Sequence, residues 1–159
     1  MEHLDKIDRH ILKLLQENAL LSVKEIANTV GLSVTPTYER IKRMEKNKYI
    51  DKYVALVNRD KVERSLVVFC SVSLRDHSRN SLEAFNKAIN QIPEVMEIYY
   101  TSGGFDYMLK IVTKDMNTYQ HFVVNQLATI ENIATVQSSF VLKQIKCETA
   151  ITLDSEDKK

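Results

Sequence analysis

The sequence predicts an α+β chain, an N-terminal winged helix-turn-helix followed by a ferredoxin-like βαββαβ domain. Three observations carry this: two capped helical patterns meeting at a glycine within residues 22–50, an alternating apolar run over residues 66–74, and a faint internal echo through the second half.

Residues 5–19 form the first helix, with Leu4, Ile7, Ile11, Leu14 and Leu15 at helical spacing and Asp5 and Asp8 near its positive end. Ser22 and Glu25 open the second as a capping box, and Val23, Ile26, Ala27 and Val30 share one face. Gly31 supplies the left-handed angle that ends a helix cheaply. Ser33 caps a third helix, Pro36 sits in its first turn, and Thr37, Ile41 and Met44 continue a buried stripe. The opposite side carries Thr35, Tyr38, Glu39, Lys42 and Arg43, a polar and basic flank that suits a DNA major groove. Residues 49–57 alternate well enough for a strand or hairpin arm, the wing.

A polar stretch at 58–65 marks the boundary, giving domains at 1–60 and 61–153 and a frayed tail at 154–159. In the second domain, Leu66, Val68, Cys70, Val72 and Leu74 line one face of a strand. Helix 81–91 follows with Leu82, Phe85, Ile89 and Ile92, then strand 94–101. Ser102, Gly103 and Gly104 turn the chain into strand 105–112. Asp115 caps another helix with Tyr119, Phe122, Val123 and Leu127 inward, and a long strand spans 133–145. Sliding the sequence by 38 residues lays Phe69 on Tyr107, Phe85 on Val123 and Ile89 on Leu127, which suggests two β-α-β units with both helices on one face of an antiparallel sheet. The other face, with Val67, Phe69, Tyr99 and Val141, needs a cover, and a second copy packed sheet to sheet is the simplest.

Composition is that of an ordinary globular protein, 44% hydrophobic and 27% charged. The N-terminus carries no apolar signal region and no apolar run approaches membrane-spanning length, so a cytoplasmic protein without membrane contact is expected. Cys70 and Cys147 are far apart and read as buried or half-buried free thiols. His3, His10, His77 and His121 are scattered, and neither ligand pairs nor phosphate loops nor a nucleophile elbow occur, so no enzyme, metal or cofactor is expected. Net charge is only +1, although Arg40, Lys42, Arg43, Lys46 and Lys48 concentrate positive charge on and after the third helix. One such domain offers few phosphate contacts, so useful affinity calls for two or more copies on one DNA.

Leu4-Asp5 with Asp8, Ile11, Leu12 and Leu15, then Gly31-Leu32-Ser33, Arg40-Ile41, Arg43-Met44-Glu45 and Ile50, resemble the DNA-binding domain of the Lrp/AsnC transcription regulators. Residues 101–107, Thr-Ser-Gly-Gly-Phe-Asp-Tyr, resemble that family's Gly-x-x-Asp-Tyr hairpin. The resemblance implies an amino-acid-responsive regulator of transcription that binds double-stranded DNA, dimerises through its sheet and assembles further, typically to octamers. It places an effector between effector domains, near Gly103-Gly104 and the facing strand from Val136 to Ser138. One departure stands where the family usually has Gly, three residues after Glu45. Here that residue is Lys48, with Asn47 able to take the left-handed conformation instead.

For DNA, the start of the recognition helix nominates Thr35 and Tyr38 for base edges and Ser33 for a phosphate, with Lys42 and Arg43 as phosphate clamps. Arg40 matches the family's arginine and reads equally as a DNA contact or as a brace to Glu39, Glu45 or a carbonyl. For effector, the N–H groups of Gly103 and Gly104 suit a carboxylate and Asp106 an ammonium, while the same residues also suit a hairpin that needs them for its own turn. Ser138 stands where the family often has Thr. The alternative reading is a βαββαβ single-stranded RNA-binding protein without effector response, stacking bases on Tyr99, Phe105 and Tyr107, but the strand at Phe105 lacks the basic-Gly-aromatic pattern of that module.

Overall fold

A computed structural model describes residues 3–153. The chain divides into two compact units, one comprising the N-terminal part through Leu56 together with the stretch from Lys146 onward, the other Val57–Ile145.

The first unit contains α1 (Lys6–Glu17), α2 (Val23–Val30) and α3 (Val34–Lys46). Asp5 caps α1 through a reciprocal box with Asp8, and Ser22 and Glu25 do the same for α2, so each helix begins where its side chains satisfy orphan N–H groups. Gly31 ends α2 at φ 73°, the left-handed angle expected of it. Ile11, Leu12, Ile26, Ile41 and Met44 form the buried centre, joined at its edge by Ile50 and Leu153. The Gln16 side chain donates to the Ile151 carbonyl at 3.1 Å and accepts from its N–H at 2.7 Å. The expected second domain ran through residue 153, but residues 146–153 group with the first unit. That pairing bridges 135 positions, beyond any local signal. The tail at 154–159 lies outside the described residues.

Two local expectations for this unit need correction. Residues 51–57 take no regular secondary structure, so the wing strand is absent here; an isolated strand needs a ladder partner, which alternation alone does not supply. After α3 the left-handed residue is Lys48 at φ 60°, while Asn47 stays at φ −84°. The Tyr49 N–H donates to the Met44 carbonyl at 2.9 Å, and closing that bond requires the reversal one residue later than Asn47.

The second unit contains β1 (Leu66–Leu74), α4 (Arg79–Ile89), β2 (Val95–Tyr100), β3 (Tyr107–Thr113), α5 (Met116–Asn125), a 3-10 turn (Leu127–Thr129) and β4 (Ile133–Phe140). The sheet order is β2-β3-β1-β4, antiparallel throughout. Val68, Cys70, Val72 and Leu74 of β1 pack with Phe85 and Ile89 of α4 and Tyr119 and Phe122 of α5, so both helices cover one face. The expected strand 133–145 stops at Phe140. Within the buried layer the Cys70 Sγ lies 2.9 Å from the Tyr119 hydroxyl, and burial pushes the thiol's pKa up. Cys147, expected to be at least half-buried, is exposed.

The internal echo is real in architecture but mis-registered by one. Phe69 stands on the open face, 36% exposed, while Tyr107 is buried beneath the helices. Strand side chains alternate, so the offset of 38 flips the face. An offset of 37 instead lays Cys70 on Tyr107, Leu82 on Tyr119 and Phe85 on Phe122. Ile89 meets Leu127 at 38 because the 3-10 turn after α5 shifts the spacing.

Candidate DNA-binding and effector surfaces

The buried stripe of α3 is Thr37, Ile41 and Met44, which leaves Ser33, Thr35, Tyr38 and Lys42 exposed. Ser33 occupies the N-cap position without a side-chain bond to the helix; its carbonyl accepts from the Thr37 hydroxyl at 2.9 Å. The helix therefore begins with an uncapped, exposed hydroxyl at the positive end of its dipole, a suitable place for a phosphate oxygen. Lys42 lies over the Tyr38 ring, 5.7 Å from its centroid, and donates to Glu45 at 2.7 Å. Glu45 also accepts from the Tyr53 hydroxyl at 3.0 Å. Burial, then the Glu45 carboxylate, pushes that phenol up to about 12.

The arginines differ from the rest of this flank. Arg40 Nη1 donates to Asp5 Oδ2 at 2.6 Å and to Asp8 Oδ1 at 2.8 Å. Arg43 Nη2 donates to Asp8 Oδ2 at 2.6 Å. The brace expected for Arg40 from Glu39, Glu45 or a carbonyl is thus supplied instead by two aspartates of the first helix. Sequence spacing does not reveal them as partners because they lie 35 and 32 positions away, and their place at the positive end of the first helix already accounts for them.

In the second unit, Gly103 has φ 154°, an angle side chains disfavour, whereas Gly104 has no such requirement, and a Cβ at either would meet nothing within 4 Å. The turn is wider than a tight Gly-Gly reversal: six residues separate β2 from β3, closed by the Thr101 N–H donating to the Asp106 carbonyl at 2.8 Å. Asp106 is well occupied. Its Oδ2 accepts from the Leu74 N–H at 2.7 Å and its Oδ1 lies 2.9 Å from His77 Nε2. The Leu74 N–H, and then His77, hold this carboxyl below its ordinary pKa against the opposing effect of burial. His77 had no assigned role in the sequence.

The sheet brings part of the expected effector set into one row. Val72 of β1 pairs with Val136 of β4 on one side, and its carbonyl accepts from the Asp106 N–H at 3.0 Å on the other. Ser138 is two pairs further along, opposite Cys70, and its Oγ lies 2.5 Å from the Tyr119 hydroxyl. Among the described residues, no group of three or more His, Cys, Asp or Glu side chains is placed to hold a metal ion, and no helix is long and apolar enough to cross a membrane.

Two family models match nearly end to end: the AsnC-type helix-turn-helix domain over residues 4–45 and the Lrp/AsnC ligand binding domain over residues 67–151. The chain belongs to the Lrp/AsnC family of transcriptional regulators. Among curated relatives of this Lrp/AsnC protein, the Bkd operon transcriptional regulator of Pseudomonas aeruginosa is 38% identical, covering 94% of this chain and 98% of that one. The leucine-responsive regulatory protein of Escherichia coli is 35% identical over 90% of this chain and 87% of its own. A transcriptional regulator of Neisseria meningitidis, solved as a complex with L-Met, superposes with a TM-score of 0.91 at 36% identity, covering 96% of this chain and 98% of that one. The expected fold and the expected helix-turn-helix DNA-binding regulator are therefore both found. The single-stranded RNA reading gives way, since the sheet it relied on belongs to the matched ligand-binding domain.

Proposed function

We propose that this Lrp/AsnC regulator reads duplex DNA with the N-terminal half of α3 and adjusts that binding when an α-amino acid docks at the β2–β3 hairpin of an oligomer. The observation that carries the DNA half is the exposed flank of α3, with Thr35 and Tyr38 directed away from the buried stripe. Thr35 and Tyr38 meet base edges, and Ser33 and Lys42 meet phosphates. Arg40 acts as a brace, because both aspartates of the α1 capping box hold it.

Support for the effector half comes from the L-Met complex of the Neisseria meningitidis regulator and from Gly104, which neither φ nor crowding within the subunit requires. The N–H groups of Gly103 and Gly104 receive the carboxylate. Asp106 supplies the opposing charge through Oδ1, where an ammonium competes with His77. Val136, in the same row across Val72, contacts the effector side chain, and Ser138 supports the strand through its bond to Tyr119. The assembly is a dimer closed over the open sheet face, where Phe69 and Tyr99 are exposed, and built up to octamers, in the cytoplasm.

The test combines light scattering with calorimetric titration of L-Met and a panel of other α-amino acids, followed by anisotropy on genomic duplexes with and without the binder. Heat release with wild type, its loss in Asp106→Ala and a change in duplex affinity are expected. Undiminished amino-acid binding by folded Asp106→Ala refutes the effector site, and a monomer by scattering refutes the assembly.

A further inference from the structure

The recognition helix carries two arginines that are held back from its outer flank. Asp8 is 1% exposed, yet it accepts one guanidinium on each carboxylate oxygen, Arg40 at 2.8 Å and Arg43 at 2.6 Å. Oδ2 also accepts the Asp5 N–H at 3.2 Å, and Asp5 takes a second hold on Arg40 at 2.6 Å. Two carboxylates thus balance two guanidiniums inside the helical unit. The Asp8 carboxylate is removed from water while the Arg40 and Arg43 side chains stay 25% and 39% exposed, so salt screens these half-buried contacts less than it screens a fully exposed contact with DNA. Drawing either arginine out toward a phosphate leaves a buried carboxylate undercompensated, which is strongly unfavourable. A phosphate, in contrast, offers an arginine only a contact whose strength falls with every rise in salt.

We infer that Asp8 is a specificity-determining residue for DNA binding: it keeps Arg40 and Arg43 off the phosphate backbone, so that recognition depends on the hydroxyl and aromatic groups at the start of α3. Specificity is the difference between affinity for the right duplex and affinity for any duplex, and phosphate contacts raise both alike. A helix with both arginines released would bind all DNA better and distinguish it worse. This rests on the assignment of α3 as the DNA-reading helix, which duplex binding by the wild type tests separately.

The experiment measures affinity for a random-sequence duplex and for a duplex obtained by in vitro selection, by anisotropy across a salt series, for wild type, Asp8→Asn, Arg43→Gln and the double variant. Asp8→Asn keeps the shape of the side chain and removes its charge. Each arginine released to a phosphate steepens the slope of log K against log salt by about 0.9. For random duplex that amounts to roughly eightfold tighter binding per contact at about 0.1 M salt relative to about 1 M. The expected results are a steeper slope by about 1 to 2 in Asp8→Asn, a smaller ratio between selected and random duplex, and reversal of about 0.9 of that slope when Arg43→Gln is added. Arg43→Gln alone leaves the wild-type slope unchanged. A folded Asp8→Asn protein with the wild-type slope overturns the inference. Should Asp8→Asn fail to fold, the Arg43→Gln single variant decides: a slope flatter by about 0.9 places Arg43 on a phosphate in the wild type and overturns it too. No salt-dependent binding by the wild type would instead sink the DNA assignment of α3.

Discussion

Asn132 joins two ends of the sheet that are distant in sequence, and two substitutions separate the ways it does so. It sits at φ 73°, just before β4. Its Oδ1 accepts from the Asp76 N–H at 2.8 Å, its Nδ2 donates to the Asp76 carbonyl at 2.7 Å, and its own carbonyl accepts from the Arg75 N–H at 2.9 Å. Asn132→Ala removes both side-chain bonds, worth about 0.5–1.5 kcal/mol each. It also puts a residue with no compensating side chain at a left-handed angle, costing about 1 kcal/mol more. The expected loss is about 2–4 kcal/mol, or roughly 8–30 °C in Tm for a unit of this size. Asn132→Gly removes the same two bonds but tolerates the angle, so it should lose about 1 kcal/mol less. Differential scanning calorimetry on the full chain follows the transition of the βαββαβ unit for all three proteins. Equal losses in the two variants would show that the backbone angle contributes nothing, and losses below about 0.5 kcal/mol in both would show that the tether does not hold the sheet end.

Two further predictions concern stability. Lys48→Gly relieves a lysine at φ 60° and should stabilise the helical unit by about 0.5–1 kcal/mol, read as a higher Tm; an unchanged or lower Tm refutes the cost assigned to that angle. Asp106 has a folded pKa below its ordinary value, through the Leu74 N–H and then His77, and so has Asp5, where burial pushes upward but the Asp8 N–H and the Arg40 guanidinium outweigh it. A depressed folded pKa means that the unfolded chain binds the proton more readily, so the stabilisation is complete above the ordinary value of 3.8 and is lost as pH falls through the lower folded values. Tm should hold to about pH 5 and decline below about pH 4, less steeply in Asp106→Asn; identical acid limbs refute the assignment.

The architecture was legible because its signals are local. The Ser22–Glu25 capping box, Gly31 and alternation in β1 act over a few residues, and each stands where the pattern puts it. The failures share a cause as well. Alternation at 49–57 suggests a wing, but a strand exists only with a ladder partner, and a period of two names none. The echo reads at 38 instead of 37 because helix positions tolerate a slip of one residue and strand positions do not. At the site, exposed residues of α3 followed from helical periodicity, whereas the arginine partners depended on how α1 packs against α3. Sequence spacing within α3 cannot reveal a carboxylate on another helix. His77 lacked any motif around it, so only the fold brings it to Asp106.

The return of residues 146–153 to the helical unit has a topological consequence. The backbone crosses between the two units twice, near residue 57 and near residue 145, so the sheet unit is an insertion within the DNA-reading unit and not an appendage to it. A fragment ending at residue 56 would leave the Gln16 amide without its partner at Ile151 and Leu153 gone from the edge of the core. The helix-turn-helix unit is thus completed only after the ribosome has finished the sheet unit, which ties maturation of one to synthesis of the other.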